Sequence, residues 1–214
     1  MVLAVALSLV LLLPGGFGGI INMSYAMNSM IHNTSWVTAH FHLIFGGAVV
    51  IMYFALAYDL WPHLTGRSLP DVRLVRTQLW LWFIGMIVTT FPWHWVGILG
   101  MPRRMAYFDY SDPALSPQAL PVTISAIGAF ILLTSGLLFL FILARAYTAS
   151  RTDAGPYRYS LPIHPVRSVP LALNSYGIWV ALMIGLTVTN YGYPIAALVA
   201  RQDTSVPAIY VGAQ

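Results

Sequence analysis

Cysteine, lysine and glutamate are all missing from this 214-residue chain. Without cysteine there is no disulfide, no thiolate metal ligand and no iron–sulfur cluster. Without lysine or glutamate, a proton relay built on either residue cannot lie here; all ten basic residues are arginine and all six acids are aspartate. Charge is scarce altogether, at 7% of residues, against about 25% in soluble domains. What is abundant is apolar: 58% of the residues, with a mean hydropathy of +0.75. The net charge of +4 and pI near 9.5 need no nucleic-acid partner, because the arginines fall in connections, where membrane topology puts them.

A membrane crossing takes roughly 20 apolar residues, and five stretches qualify: about 1–22, 37–61, 75–98, 120–147 and 171–199. The expected fold is an all-α integral membrane helical bundle of about five spans, forming a single transmembrane domain over residues 1–214. The first stretch contains Pro14-Gly15-Gly16, which a membrane helix tolerates when its neighbours satisfy the freed backbone groups. Gly18-Gly19 follows, a sign of close packing against another helix. Met1–Leu13 lacks the basic n-region and cleavage site of a signal peptide, so a first spanning helix is expected there. Its abrupt start points to a split gene product or a piece of a longer chain. The fifth stretch is the weakest, diluted by Asn174, Asn190 and Tyr191-Gly192-Tyr193-Pro194.

Arginines assign the sides. Arg67, Arg73 and Arg76 lie between spans two and three, and Arg145, Arg151, Arg158 and Arg167 between four and five. Five spans put these two connections on one side, against Arg103, Arg104 and Arg201 on the other. Seven against three places the N-terminus and the arginine-rich connections in the cytoplasm. The first–second and third–fourth connections then face outward together.

His40-Phe41-His42 opens the second span. Each helical residue turns about 100°, so these imidazoles leave the helix about 200° apart and cannot share one metal ion. A zinc site uses histidines four apart on one face. Opposite faces suit two separate cofactors, and haem fits, because each iron takes one axial imidazole from a given direction. Thr34 or Ser35 is a natural N-cap, which sets the pair on the order of 10 Å inside the helix start. The outward connection between spans three and four carries Arg103-Arg104, able to take carboxylates such as haem propionates through charge-assisted bonds. His32 and Asn33 lie at the same level.

Each feature has a plainer reading. A lone intramembrane histidine is often a helix–helix hydrogen-bond donor, and an Arg-Arg pair after a helix is usually an interfacial anchor. His32 fits a solvated or capping residue. His94, within Phe91-Pro92-Trp93-His94-Trp95, fits an interfacial aromatic belt. His63 and His164 read as loop residues without a role. Asp59, near a cytoplasmic helix end, reads as an interfacial cap rather than part of a proton path.

In combination, His32-Asn33-Thr34, His40-Phe41-His42 and Met101-Pro102-Arg103-Arg104 resemble subunit I of the haem–copper oxygen reductases. The His-Asn-Thr-x-Trp-Val-x-x-His-Phe-His form is most similar to the B family, as in the two-subunit oxidases of thermophiles. The resemblance runs over roughly residues 10 to 150 and matches the C-terminal portion, helices nine to thirteen. It implies that His40 ligates a high-spin haem iron and His42 a low-spin one, with Phe41 between. Arg103 and Arg104 would clamp propionates, and His32 and Asn33 would lie beside the propionates and the waters above them. Asn28 stands where such enzymes can carry an aspartate near a propionate, which puts proton loading there in doubt but leaves haem ligation untouched.

The resemblance also implies what the chain lacks. The family's three Cu-B histidines, its linked tyrosine and the second low-spin ligand lie upstream, so Cu-B would be shared with a chain carrying the N-terminal half. The remaining implied partners are a copper-bearing subunit II, a cytochrome c or similar donor, and membrane lipids. The activity implied is reduction of O2 to water coupled to proton translocation. A nitric oxide reductase of the same superfamily and a haem-free membrane bundle are the alternatives.

Overall fold

The computed structural model of the chain describes residues 1–105, 107–109, 111–113, 115–157, 170 and 173–200. Two units are described separately, residues 1–158 and the segment from 159 on. The described residues are mostly helical, and five helices are long and apolar enough to cross a membrane: Val2–Met23, Ser35–Thr65, Val72–Ile98, Ser116–Tyr147 and Tyr176–Ala197. The expected five-span membrane bundle is therefore borne out, with ends shifted by a few residues. The largest shift is in the fifth span, expected from 171. The final helix, α7, is Tyr176–Ala200. Leu173 and Asn174 instead form a turn, their amides donating to Pro170 O at 2.9 and 3.2 Å.

The first helix, α1 (Val2–Met23), runs unbroken through Pro14 and its glycines. A short α2 (Tyr25–Ile31) follows after a break at Ser24. Span two is composite: α3 (Ser35–Phe41), a π-helix (His42–Val49) and α4 (Val50–Thr65). Thr34 caps α3 as expected, its hydroxyl accepting from Trp36 N at 3.3 Å. Two turns of π-helix were not foreseen, and such segments mark functional positions in helices more often than ordinary ones. Gly66, left-handed at φ 63, ends α4, a backbone form only glycine takes freely.

The third span, α5 (Val72–Ile98), begins at Asp71, whose carboxylate caps Arg73 N at 2.7 Å. It packs closely on α6 (Ala119–Tyr147). A Cβ at Gly85 would meet Leu132 at 2.9 Å, and one at Gly128 would overlap Thr89. Such small residues let membrane helices approach when lipid supplies no hydrophobic drive between them. Polar side chains tie the same seam. Ser125 Oγ donates to Thr89 O at 2.9 Å. Tyr58 OH donates to Gln78 Oε1 at 3.1 Å, Gln78 Nε2 to Ser135 Oγ at 3.1 Å, and Ser135 Oγ back to Gln78 O at 2.8 Å. Gln78 and Ser135 are fully buried, so Ser135→Ala strands the Gln78 Nε2 donor in an apolar seam. We expect it to cost about 1–3 kcal/mol, seen as a lower melting temperature of the purified complex.

One end of residues 1–158 gathers the arginine-bearing connections. Met1, Tyr58, Asp59 and Leu69 line one cleft. Arg67 pairs backbone with Arg151 and donates from NH1 to Ala149 O at 2.9 Å. The two loops counted together from sequence thus share an end with the start of α1, while Arg158, Arg167, Arg201 and His164 lie outside the described residues. His63 is not a loop residue: it sits in the last turn of α4, with Nδ1 3.1 Å from Gly155 O and its ring edge-on to Tyr157 at 5.1 Å. Asp59 Oδ2 accepts the Tyr157 hydroxyl at 3.2 Å, and that bond, with the carboxylate charge, raises the Tyr157 pKa above its usual value. Asp59 and His63 together hold the chain leaving α6 against the end of α4.

Candidate haem-ligating site

Two glycines of α1, Gly18 and Gly19, leave room for an imidazole. A Cβ at Gly18 would lie 3.2 Å from His40 Nδ1, and one at Gly19 would lie 3.2 Å from His40 Cε1. Close approach brings the His40 Nδ1 within 2.8 Å of Gly15 O on the facing helix. His42 turns the other way. Its Nδ1 lies 2.8 Å from Thr38 O, one turn back in its own helix, and its ring meets Trp93 of α5 edge-on at 5.3 Å. The two imidazoles therefore leave opposite sides of span two, toward α1 and toward α5, as the two-residue spacing requires.

Both tethers end on carbonyl oxygens, which only accept. Each Nδ1 must then be the donor, so the neutral form of each ring has its in-plane lone pair on Nε2. Tying one ring nitrogen to a backbone carbonyl is how metal-binding imidazoles are oriented and made more basic. Both rings are half-buried, and Phe41 between them is 40% exposed, its ring 4.3 Å from that of His42.

His94 has the same tether, Nδ1 to Thr90 O at 2.8 Å, so the tether alone does not define a ligand. Its surroundings differ: Trp36 packs edge-on at 4.8 Å and Phe91 at 6.3 Å. His94 also lines an apolar cavity of about 540 Å³ with Trp36, Leu43, Phe91 and the Leu13–Gly18 face of α1. Its ring neighbours are aromatic, as expected from the run Phe91-Pro92-Trp93-His94-Trp95.

At the end of the bundle that carries Arg103 and Arg104, two connections are laced together. Thr34 pairs backbone with Pro102, Ser35 N donates to Met101 O at 2.8 Å and Arg103 N to Asn33 O at 2.9 Å. Arg103 NH2 also donates to Asn33 Oδ1 at 3.1 Å, while its Nε is buried and has no partner among the described residues. An unpaired guanidinium donor held in this fixed place fits a carboxylate, which takes arginine donors two at a time. Asn33 and Arg104 both sit in the left-handed region, at φ 62 and φ 64, strain that is common at ligand-holding sites. Of the four residues expected at this rim, the structure brings Asn33 and Arg103 together. Arg104 and His32 are exposed, and their side chains make no hydrogen bond among the described residues. Asn28 is half-buried and its backbone carbonyl accepts His32 N at 2.7 Å.

The fold and site define a class: a multi-pass membrane protein presenting two oppositely directed, carbonyl-tethered imidazoles beneath an arginine-bearing rim. A family model for cytochrome c and quinol oxidase polypeptide I matches residues 1–131. The chain is 34% identical over 203 residues to a Thermus thermophilus cytochrome c oxidase subunit 1, covering 91% of this chain and 36% of that protein. A second Thermus thermophilus protein of the same name is 41% identical over 96 residues, 44% of this chain and 89% of that one. A heme–copper terminal oxidase dimer solved by cryo-EM aligns with a TM-score of 0.66 at 28% identity, over 88% of this chain and 33% of that chain. The chain belongs to the cytochrome c and quinol oxidase polypeptide I family, and it spans about a third of the length of the larger relatives.

Proposed function

We propose that this chain is the C-terminal portion of the catalytic subunit of a haem–copper terminal oxidase of B-family type, and that it supplies one axial ligand to each of two haems. The observation that carries this is the pair of tethers from His40 to Gly15 O and from His42 to Thr38 O. They fix both Nε2 lone pairs outward on opposite sides of one helix. His40 holds the high-spin iron and His42 the low-spin iron, following the family pattern. When bound, haem would supply the one-electron and oxygen chemistry, its potential set by the ligating imidazole and the hydrogen bond that imidazole donates.

The chain's own residues orient and insulate. Gly15 O strengthens His40 as a ligand by accepting the hydrogen bond from its Nδ1–H. Arg103, steadied by Asn33, receives a propionate; Arg104 and His32 lie at the same rim for the second propionate and its waters. Cu-B and its histidines belong to a partner chain carrying the N-terminal half, and electrons enter through a copper-bearing second subunit from a cytochrome c or similar donor. The site is buried in a prokaryotic plasma membrane with the α1 start on the cytoplasmic side, and oxygen reduction is coupled to proton translocation.

The test is a reduced-minus-oxidised spectrum of the purified complex, with and without carbon monoxide, beside its oxygen and nitric oxide consumption. Two haem components, one perturbed by carbon monoxide, with oxygen consumed, is the expected result. A colourless complex sinks the haem assignment, and turnover of nitric oxide alone moves the chain to the reductase branch.

A further inference from the structure

The inward stripe of α1 comprises Ala4, Leu7, Ser8, Leu11, Gly15 and Gly18, and Asn22 continues that period by one turn. Contacts across the seam fix the antiparallel register. Added Cβ atoms would bring Gly47 against Leu11, Gly15 against Ile44, and Gly18 against His40. Position 22 then falls opposite residues 36–37. Trp36, at the facing position, lines the same cavity as Phe17 and Gly18 and packs edge-on against His94.

Both positions end in a stranded polar atom. Asn22 Oδ1, an acceptor, and Trp36 Nε1, a donor, are buried without a hydrogen bond among the described residues. Stranding such groups in an apolar seam is costly, and native proteins answer complementary buried groups with a water that joins them. A single water accepts from the indole N–H and donates to the carboxamide oxygen, and it serves a flipped amide equally well.

We propose that Asn22 and Trp36 hold one water between α1 and α3, and that this bridge is a positioning device for His40. It lies one turn outside the Gly15 and Gly18 contacts and four residues before His40, where it sets how closely the glycine stripe meets the imidazole. The proposal rests on His40 being a haem ligand, as argued above.

The experiment uses the assembled complex with Asn22→Leu, Trp36→Phe, their combination, and Asn22→Gln, which keeps the carboxamide. Thermal melting should fall with each single change, and no further in the double variant than in the worse single one. Infrared difference spectra on carbon monoxide photolysis should contain a water band that shifts in H2-18O and is lost in Asn22→Leu and Trp36→Phe. The iron–histidine stretch of the reduced high-spin haem should shift in Asn22→Leu and recover in part in Asn22→Gln. Additive melting shifts, a missing 18O-sensitive band or an unmoved iron–histidine stretch overturns the proposal. If the wild-type complex has no iron–histidine band dependent on His40, the ligand assignment has failed instead, and the melting cycle still tests the bridge.

Discussion

His40→Ala should abolish the carbon-monoxide-binding signal of the complex while leaving the other haem component in its spectrum. His42→Ala should do the reverse. Each change removes the imidazole whose Nε2 is aimed outward by a carbonyl tether, and neither ring can stand in for the other because they leave opposite sides of the helix. Loss of a partner that only orients a ligand typically costs about 10–100-fold in metal affinity or activity, so loss of either ligand should cost oxygen consumption more than that. The asymmetry is the diagnostic part. A purely structural histidine pair would lower the yield of folded complex with both haem signals falling together, and an unchanged spectrum in both variants would remove the two-haem assignment.

Much of this was legible in the sequence because it depends on helix arithmetic. The two-residue spacing of His40 and His42 forces opposite directions, and the structure aims one ring at Gly15 and the other at Trp93. Length and hydropathy found five spans, and the Gly18-Gly19 pair announced a close neighbour that proves to be His40 itself. The rest involves backbone, which side-chain patterns do not encode. Gly15 accepts through its carbonyl oxygen, which every residue has. The π-helix from His42 to Val49 lies in a uniformly apolar run, where no periodic signal separates its winding from an α-helix. Asn33 gave a faint sign, since asparagine is enriched in the left-handed region, but its bond to Arg103 joins residues seventy positions apart. His63 looked like a loop residue because Pro62 precedes it and Gly66 soon follows; the helix continues through that proline to Thr65.

Gly97→Ala should damage the same site from a distance, without touching a ligand. Gly97 lies near the end of α5 against the start of α3. A Cβ there would run into the Trp36 backbone nitrogen and come within 2.7 Å of its Cα and 2.8 Å of its Cβ. A side chain could turn aside, but a backbone can yield only by moving its helix. Overpacking of this kind costs about 1–3 kcal/mol, occasionally more. Relief by shifting α3 away from α5 would stretch the Ser35 N to Met101 O and Arg103 N to Asn33 O bonds, each worth about 1 kcal/mol. The variant should therefore melt lower and shift both haem components, because His40 and His42 ride on the displaced helix. Gly136→Ala makes the comparison, since nothing among the described residues lies within 4 Å of a Cβ there; its melting temperature and spectrum should stay at the wild-type values. If Gly97→Ala behaves like Gly136→Ala, the α3–α5 contact is not what holds the histidine helix in register with the arginine rim. The burden would then fall on the α1 glycine stripe alone.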